Sequence, residues 1–103
     1  MKRLWSALTD NMNRCVISGY EDPEDTPYPK TERHHVFSGA NKKRSELYGY
    51  IVPLRKDLHP NGVEAPDDWK EIDLKLKRMC QAHYEMHHGT REEFIAEFGR
   101  SWL

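Results

Sequence analysis

Apolar residues change their spacing along this chain at about residue 66. Beyond that point they recur every three or four positions, which places them on one side of an α-helix. Pro66 suits the first turn of that helix, and Gly89 suits its end. The pattern therefore predicts a long helix whose buried side is formed by Trp69, Ile72, Leu76, Met79, Cys80 and His83.

A second, shorter helix is predicted directly after Gly89. Thr90 can cap its first turn, and Glu93 three positions later completes a capping box. Gly99 marks the end of this helix. Its apolar side is formed by Phe94, Ile95 and Phe98.

The first half of the chain contains short apolar segments bounded by turn-forming residues, a pattern that predicts strands. These segments cover residues 15–19, where a short strand runs into a turn, 33–37 and 48–54. Pro53 lacks a backbone N–H group, so the last of them is expected at a sheet edge.

Two loops of opposite charge separate the predicted strands. Residues 20–32 form an acidic, Pro-rich loop, and residues 40–45 form a basic loop. Residues 2–10 predict a short helix or an irregular lead-in, with Leu4, Trp5 and Leu8 as its buried side. Strands followed by helices predict a small α+β domain.

Composition limits the chain to one small domain. Its 103 residues are 37% hydrophobic and 32% charged, with a formal charge of −1. We expect one modest core in a single domain over 1–103, with 1–12 as an N-terminal extension. Two cysteines are too few for a Cys-rich zinc site. No apolar segment approaches the roughly 20 residues that span a bilayer. The N-terminus does not match a signal peptide, so a reduced, cytoplasmic protein is expected.

Adjacent histidines are the first candidate chemistry. His34 and His35 lie on a predicted strand, where successive side chains point to opposite faces unless a twist or bulge turns both toward one cleft. A hairpin whose second arm returns to the start of the first would bring His59 beside His34. The competing interpretation of the pair is a polar edge of the core.

Three further histidines lie near the end of the long predicted helix. His83, His87 and His88 favour a structural interpretation, because imidazoles suit the negative end of a helix dipole. His83 and His87 are also four positions apart, a spacing that allows a second metal ion to bind.

Three ordered segments accompany these histidines: ERHHVFSGAN at 32–41, SELYGYIVPL at 45–54 and TREEFIAEFGRSWL at 90–103. Together with His59, the tripeptide NGV at 61–63 and the turn at 15–19, they resemble a phage and prophage family of small HNH endonuclease-like proteins. The resemblance covers about residues 13–103.

The resemblance implies a ββα-metal (HNH-like) core with a β-hairpin, followed by the long helix and the short terminal helix. His34 would bind a divalent metal ion, His35 would be the general base that takes a proton from water, and His59 would be a further metal ligand. Such an ion neutralises charge on the phosphate and the leaving oxygen. An imidazole with an ordinary pKa of about 6.5 accepts a proton at neutral pH.

The chain departs from the family pattern at two places. The middle Asn of the HNH name has no counterpart on 48–54, and Asn41 is the candidate substitute, supporting the backbone by side-chain hydrogen bonds. The third ligand is open, with Asn61 and Glu64 as candidates and Asp57 as a weaker one. Oxygen ligands favour Mg²⁺ or Mn²⁺ over Zn²⁺.

Basic residues on the loops beside the predicted cleft are candidates for phosphate contacts. Such contacts are salt-sensitive and carry no sequence information. The acidic loop would repel DNA. It therefore either lies away from the surface that binds DNA or contacts a protein partner. The basic candidates are Lys42, Lys43, Arg44, Arg55 and Lys56.

The leading hypothesis is a metal-dependent endonuclease that hydrolyses DNA, encoded by a phage or prophage and acting in the bacterial cytoplasm. A second hypothesis is a non-catalytic binding protein that blocks a host defence nuclease or assists recombination. A third is a structural zinc domain with His34, His59 and Cys15 as ligands. Strandedness, sequence preference and oligomeric state are left open.

Overall fold

The computed structural model describes residues 4–56 and 69–103. Within them, a two-stranded antiparallel sheet and three α-helices confirm the predicted α+β class. No helix in these two ranges is long and apolar enough to cross a membrane. In chain order the elements are β1 (Thr31–His35), a 3₁₀ turn (Gly39–Asn41), α1 (Lys42–Tyr48), β2 (Ile51–Arg55), α2 (Trp69–His87) and α3 (Arg91–Phe98).

The two strands pair in a continuous antiparallel register. His34 lies opposite Val52 and His35 lies opposite Ile51. Pro53 sits opposite Arg33, and in a two-stranded sheet each strand is an edge, which agrees with the position predicted for Pro53. The ladder contains no extra residue, so the side chains of β1 alternate strictly between its two faces.

Both predicted strands in this region are displaced along the chain. β1 covers Thr31–His35 rather than 33–37, so it also takes the last two residues of the loop expected at 20–32. β2 covers Ile51–Arg55 rather than 48–54. The 3₁₀ turn and α1 connect the two strands. Because the chain leaves the sheet after His35 and re-enters it at Ile51, the residues in between cannot belong to either strand.

The prediction of a basic loop at 40–45 is wrong, because these residues belong to the 3₁₀ turn and to helix α1. The helix contains no Gly or Pro, and it ends at Gly49, whose φ of 75° lies in the left-handed region that favours glycine. A Cβ atom at Gly49 would lie 2.6 Å from the ring of Trp5. Trp5 therefore packs on the turn, although half of its surface is exposed.

The buried side chain of Ser45 joins α1 to the end of β1. Its hydroxyl donates to the carbonyl of Phe37 at 2.7 Å and accepts from the N–H of Phe37 at 3.1 Å. Both backbone groups of Phe37 are thereby satisfied where the chain has left the sheet. This contact fixes where the helix lies against the strand.

The segment at 15–19 contains the predicted turn but not the short strand that was expected to lead into it. Cys15 donates its N–H to Tyr20 at 2.7 Å, and Gly19 donates to the carbonyl of Cys15 at 2.9 Å. Gly19 has a φ of 77°, which interrupts any extended run. A single bridge between Arg14 and Glu21 is the sheet-like contact that this region makes.

The acidic loop before β1 is irregular, as predicted, but Asp22 is buried rather than solvated. Its carboxylate accepts from the backbone N–H groups of Lys30 and Thr31 and from the Thr31 hydroxyl. Burial alone would raise the pKa of Asp22, yet these hydrogen bonds outweigh it and lower the pKa. One acidic residue thus anchors the loop to the start of β1.

Helix α2 buries a slightly different stripe from the predicted one. Its buried apolar residues Ile72, Leu76, Cys80 and Tyr84 are spaced by four. The start that was predicted at Pro66 lies outside the described residues. Met79, expected inside, is 36% exposed, because a spacing of four turns the stripe away from it. The core that this stripe covers also includes Phe37, Tyr50, Leu54, Phe94 and Phe98.

Helix α3 confirms the predicted cap. The Thr90 side chain accepts from the N–H of Glu93, and the Glu93 side chain accepts from the N–H of Thr90. Phe94 and Phe98 are buried, whereas Ile95 is largely exposed and does not belong to the buried side.

A shared carboxylate joins α1, α2 and α3. Glu97 accepts hydrogen bonds from the hydroxyls of Tyr48 at 2.7 Å and Tyr84 at 2.6 Å. Burial, followed by the nearby Glu97 carboxylate, raises the pKa of both phenols. The neutral phenols are therefore the form that stabilises this junction.

We expect Ser45→Ala to lower the free energy of unfolding by about 1–3 kcal/mol, because two backbone groups of Phe37 lose their partner away from water. Urea unfolding followed by circular dichroism measures the change. Ser38→Ala is the matched control, since Ser38 is exposed and its side chain caps no helix. Equal effects of the two substitutions would show that the Ser45 contact does not stabilise the fold.

We expect the free energy of unfolding to fall as the pH rises above about 10, the ordinary pKa of tyrosine. Folding raises the pKa of Tyr48 and Tyr84, so their contribution is complete below that pH and is lost above it. Urea unfolding at pH values from about 8 to about 11 measures the slope. Tyr84→Phe should flatten it, and a slope that Tyr84→Phe leaves unchanged would contradict the assignment; the exposed Tyr28→Phe is the control.

Candidate functional site

The two adjacent histidines of β1 lie on opposite faces of the sheet. His34 is 8% exposed, and its ring meets the ring of Trp69 edge-on, with centroids 5.3 Å apart. His35 lies on the other face, where its Nε2 is 3.2 Å from Oε1 of Glu46. The continuous ladder therefore gives one imidazole to the core side and one to the α1 side.

Glu46 reaches His35 because of the way α1 is fixed to the strand. Ser45 binds Phe37, two residues beyond His35, and Glu46 is the next residue on the helix. The side chains of His35 and Glu46 are 17% and 25% exposed, so the pair lies at the surface without being fully solvated. A partly desolvated pair of this kind interacts more strongly than one in bulk water.

This arrangement is suited to acid–base chemistry. A carboxylate that holds one ring nitrogen fixes the orientation of the imidazole and leaves the other nitrogen for proton exchange. In His35 the carboxylate holds Nε2, so Nδ1 is the nitrogen left for a substrate or a water molecule. The carboxylate also stabilises the imidazolium that forms when a proton is accepted.

Glu46 is the functional candidate that the sequence analysis did not identify. A helical interpretation of 42–48 would have placed it one turn after Lys42 on the same helix face. The segment contains good helix formers and is followed by Gly49, which was the available signal. The neighbourhood of Glu46 and His35, in contrast, depends on the packing of α1 against β1.

Most of the predicted metal ligands lie outside the described residues. His59, Asn61 and Glu64, and the weaker candidate Asp57, fall in 57–68, so His34 is the one predicted ligand that the structure places. Over residues 4–56 and 69–103, no three His, Cys, Asp or Glu side chains come together in a way that could hold a metal ion. His34 by itself is not a metal centre.

The five basic candidates form two separate groups. Lys42, Lys43 and Arg44 are exposed on the first turn of α1, at the end of the hairpin where His35 lies. The other group is formed by Arg55, which stacks over the ring of Tyr20, and Lys56. This second group lies at the other end of β2, and Arg55 is roughly 13 Å along the strand from Ile51, the residue opposite His35.

Asn41 makes two hydrogen bonds through its side-chain amide. Its Nδ2 donates to the carbonyl of Phe98 at 3.2 Å, and its Oδ1 accepts from Arg44 at 3.1 Å. The amide thus joins the start of α1 to the end of α3 and holds one of the basic side chains. These contacts lie among helices rather than on the strand where the family pattern has its Asn.

The histidines at the end of α2 form a cluster of their own. Nδ1 of His83 is 3.2 Å from the Tyr50 hydroxyl, and its ring centroid lies 4.6 Å from that of His87 and 5.5 Å from that of His88. Burial, followed by the two neighbouring imidazoles, lowers the pKa of His83. His83 is thus only partly buried, at the border of the apolar stripe rather than inside it. Its contacts are of the kind expected from a structural histidine.

Both cysteines are free and buried. Cys15 lies in the turn before the acidic loop, where its sulfur accepts from the N–H of Ser18 at 3.3 Å. Cys80 lies on the buried side of α2.

No protein-family model, curated protein or solved structure matches this chain. The resemblance to HNH endonuclease-like proteins therefore rests on the sequence segments that carry it and stays a prediction.

We expect His34→Ala to destabilise the fold by about 1–3 kcal/mol in a buffer that contains EDTA, because a buried ring and its contact with Trp69 are removed. His35→Ala should cost less, since its side chain is more exposed. Urea unfolding of both variants beside the native chain measures the difference. A larger loss for His35→Ala would contradict the assignment of the two faces.

Proposed function

We propose that this protein is a metal-dependent endonuclease of the ββα-metal (HNH) kind that hydrolyses phosphodiester bonds in DNA. The observation that carries the proposal is the contact between His35 and Glu46 beside the basic first turn of α1. It combines an oriented imidazole with the positive charge that a polyanionic substrate needs.

In this proposal His35 is the general base. Glu46 holds Nε2, and Nδ1 accepts a proton from the attacking water molecule. The resulting imidazolium is stabilised by the Glu46 carboxylate, so Glu46 is a positioning residue. Proton transfer of this kind contributes about 10²–10⁴-fold to the rate of an enzyme reaction.

Lys42, Lys43 and Arg44 are proposed to hold the phosphates of the strand. They extend from the same helix that presents Glu46, so the phosphate contacts and the carboxylate that orients His35 share one element. Arg55 and Lys56 lie toward the other end of the hairpin and would contact phosphates farther along the DNA strand. Contacts to phosphates position the substrate but do not select its sequence.

The metal ligands that we propose are His34, His59, Asn61 and Glu64. A bound divalent ion, with Mg²⁺ or Mn²⁺ favoured over Zn²⁺ by the oxygen ligands, supplies charge stabilisation at the phosphate and the leaving oxygen. A phage or prophage origin and action in the bacterial cytoplasm belong to the same proposal, because both rest on the family resemblance.

The test is cleavage of supercoiled plasmid and of circular single-stranded DNA in the presence of Mg²⁺, Mn²⁺ or Zn²⁺. We expect cleavage by the native chain and a loss of about 10²-fold or more in rate for His35→Ala, because the general base is removed. Glu46→Gln should lower the rate by about 10-fold or more, because the imidazole loses its charged partner.

Two exposed substitutions are matched controls for this assay. His88→Ala removes an imidazole from the turn that follows α2, and Glu92→Gln removes a carboxylate from α3. Both should leave the rate unchanged. The proposal would be abandoned if the native chain left both substrates intact with every metal, or if His35→Ala cut as fast as the native chain.

A second function is favoured by one observation, namely that His34 and His35 lie on opposite faces of β1. If both imidazoles must serve one cleft, the fold would bind a nucleic acid or a protein partner without hydrolysis. A host defence nuclease is the partner class that the sequence analysis suggested. Binding of DNA without cleavage, unaffected by His35→Ala, would support this function.

A further inference from the structure

The end of the chain folds back beside the 3₁₀ turn, α2 and α3 and borders an open recess of about 360 Å³. Aromatic rings and cations both line it. The residues that matter here are Phe37, Asn41, Lys77, Phe98, Arg100 and Trp102.

The recess is held in place by a buried amide on α2. Gln81 is fully buried; its Oε1 accepts from the N–H of Trp102 at 2.7 Å, and its Nε2 donates to the hydroxyl of Ser101 at 2.9 Å. Arg78 donates to the carbonyl of Trp102 at 2.9 Å. Both backbone groups of Trp102 are bound, and its ring packs against those of Phe37 and Phe94, with centroids 5.2 Å and 6.0 Å away. The ring is therefore positioned before any ligand arrives, which lowers the entropy cost of binding.

Positive charge surrounds this ring. The guanidinium carbon of Arg100 lies over the Trp102 ring, 5.4 Å from its centroid, and Nζ of Lys77 lies over the same ring, 5.5 Å from its centroid. Lys77 also pairs with Asp73 at 2.7 Å. Within residues 4–56 and 69–103, Arg100 takes part in no ion pair, so its charge is not offset by a carboxylate.

The recess is continuous with the basic turn of α1. Asn41 lines it and also accepts a hydrogen bond from Arg44, so the first turn of α1 lies next to the recess. Phe37 lies two residues after His35, within roughly 7 Å along the chain. A strand whose phosphates contact α1 can therefore reach both His35 and the recess.

We propose that the recess binds an unpaired base of single-stranded DNA, with Trp102 as the stacking surface and Arg100 and Arg44 as contacts for the flanking phosphates. Aromatic rings bordered by cations are the usual way in which proteins bind single strands without sequence preference. The bases of a duplex are stacked on each other and cannot enter a recess of this kind. The proposal rests on the proposed function in that it names the form of DNA presented to His35.

The experiment measures fluorescence anisotropy of a labelled oligothymidylate of about 16 nucleotides, alone and as its duplex with oligodeoxyadenylate, in EDTA to prevent cleavage. We expect the single strand to bind about 10-fold or more tightly than the duplex. Arg100→Ala should weaken binding of the single strand by about 10-fold, and Trp102→Phe should weaken it by a smaller factor because a smaller ring remains.

Arg14→Ala is the matched control, since Arg14 is an exposed arginine in the N-terminal half that pairs with Glu21. It removes the same charge and should leave the preference for the single strand unchanged. Thermal melting of each variant shows that the fold is intact. Equal affinity for both forms of DNA, or equal effects of Arg100→Ala and Arg14→Ala, would overturn the proposal.

Binding and cleavage distinguish this proposal from the proposed function. If His35→Ala and the native chain bind the single strand equally and neither cleaves any DNA, the recess stands and the nuclease fails. If the native chain cleaves DNA but binds duplex as tightly as single strands, the nuclease stands and the recess fails.

Discussion

The fold around the candidate site depends on one buried side chain, Ser45. Its hydroxyl satisfies both backbone groups of Phe37 just where the chain leaves β1, and this contact fixes α1 against the end of the strand. Without it, two buried polar groups would face an apolar surrounding, at a cost comparable to a sizeable part of the stability of a small domain. The next residue, Glu46, reaches His35 as a direct result.

A polar network extends from this point across the helices. Asn41 joins α1 to the end of α3, Glu97 receives the hydroxyls of Tyr48 and Tyr84, and Gln81 holds the backbone of Trp102. Each of these polar groups is partly or fully buried and each has a partner, which is the condition under which buried polar networks specify one arrangement. The chain end is thereby held beside the first turn of α1, so the contact between His35 and Glu46 and the aromatic recess belong to one connected set of elements.

The sequence predicted what depends on local chemistry. The capping box of α3 and the apolar spacing of α2 are contained in windows of a few residues, and both helices formed as expected. The alternation of His34 and His35 is a property of any strand, so their separation onto two faces was one of the two arrangements anticipated. The strand boundaries were less accurate, because the end of a strand depends on the partner that it loses. The helix at Lys42–Tyr48 was missed because its charged residues resemble a solvated loop, and because Ser45 supports it through a contact with Phe37, which lies outside the segment.

What the sequence determined by itself is the α+β class, the two C-terminal helices and the candidate histidines, since each follows from residue type and short spacing. The tertiary structure alone decided that His35 meets Glu46, eleven residues away along the chain. It also decided that Asn41 binds Phe98, fifty-seven residues away. The physical reason is that a hydrogen bond or a packed recess requires positions set by several elements at once, and no local pattern encodes the distance between elements that are far apart in the chain.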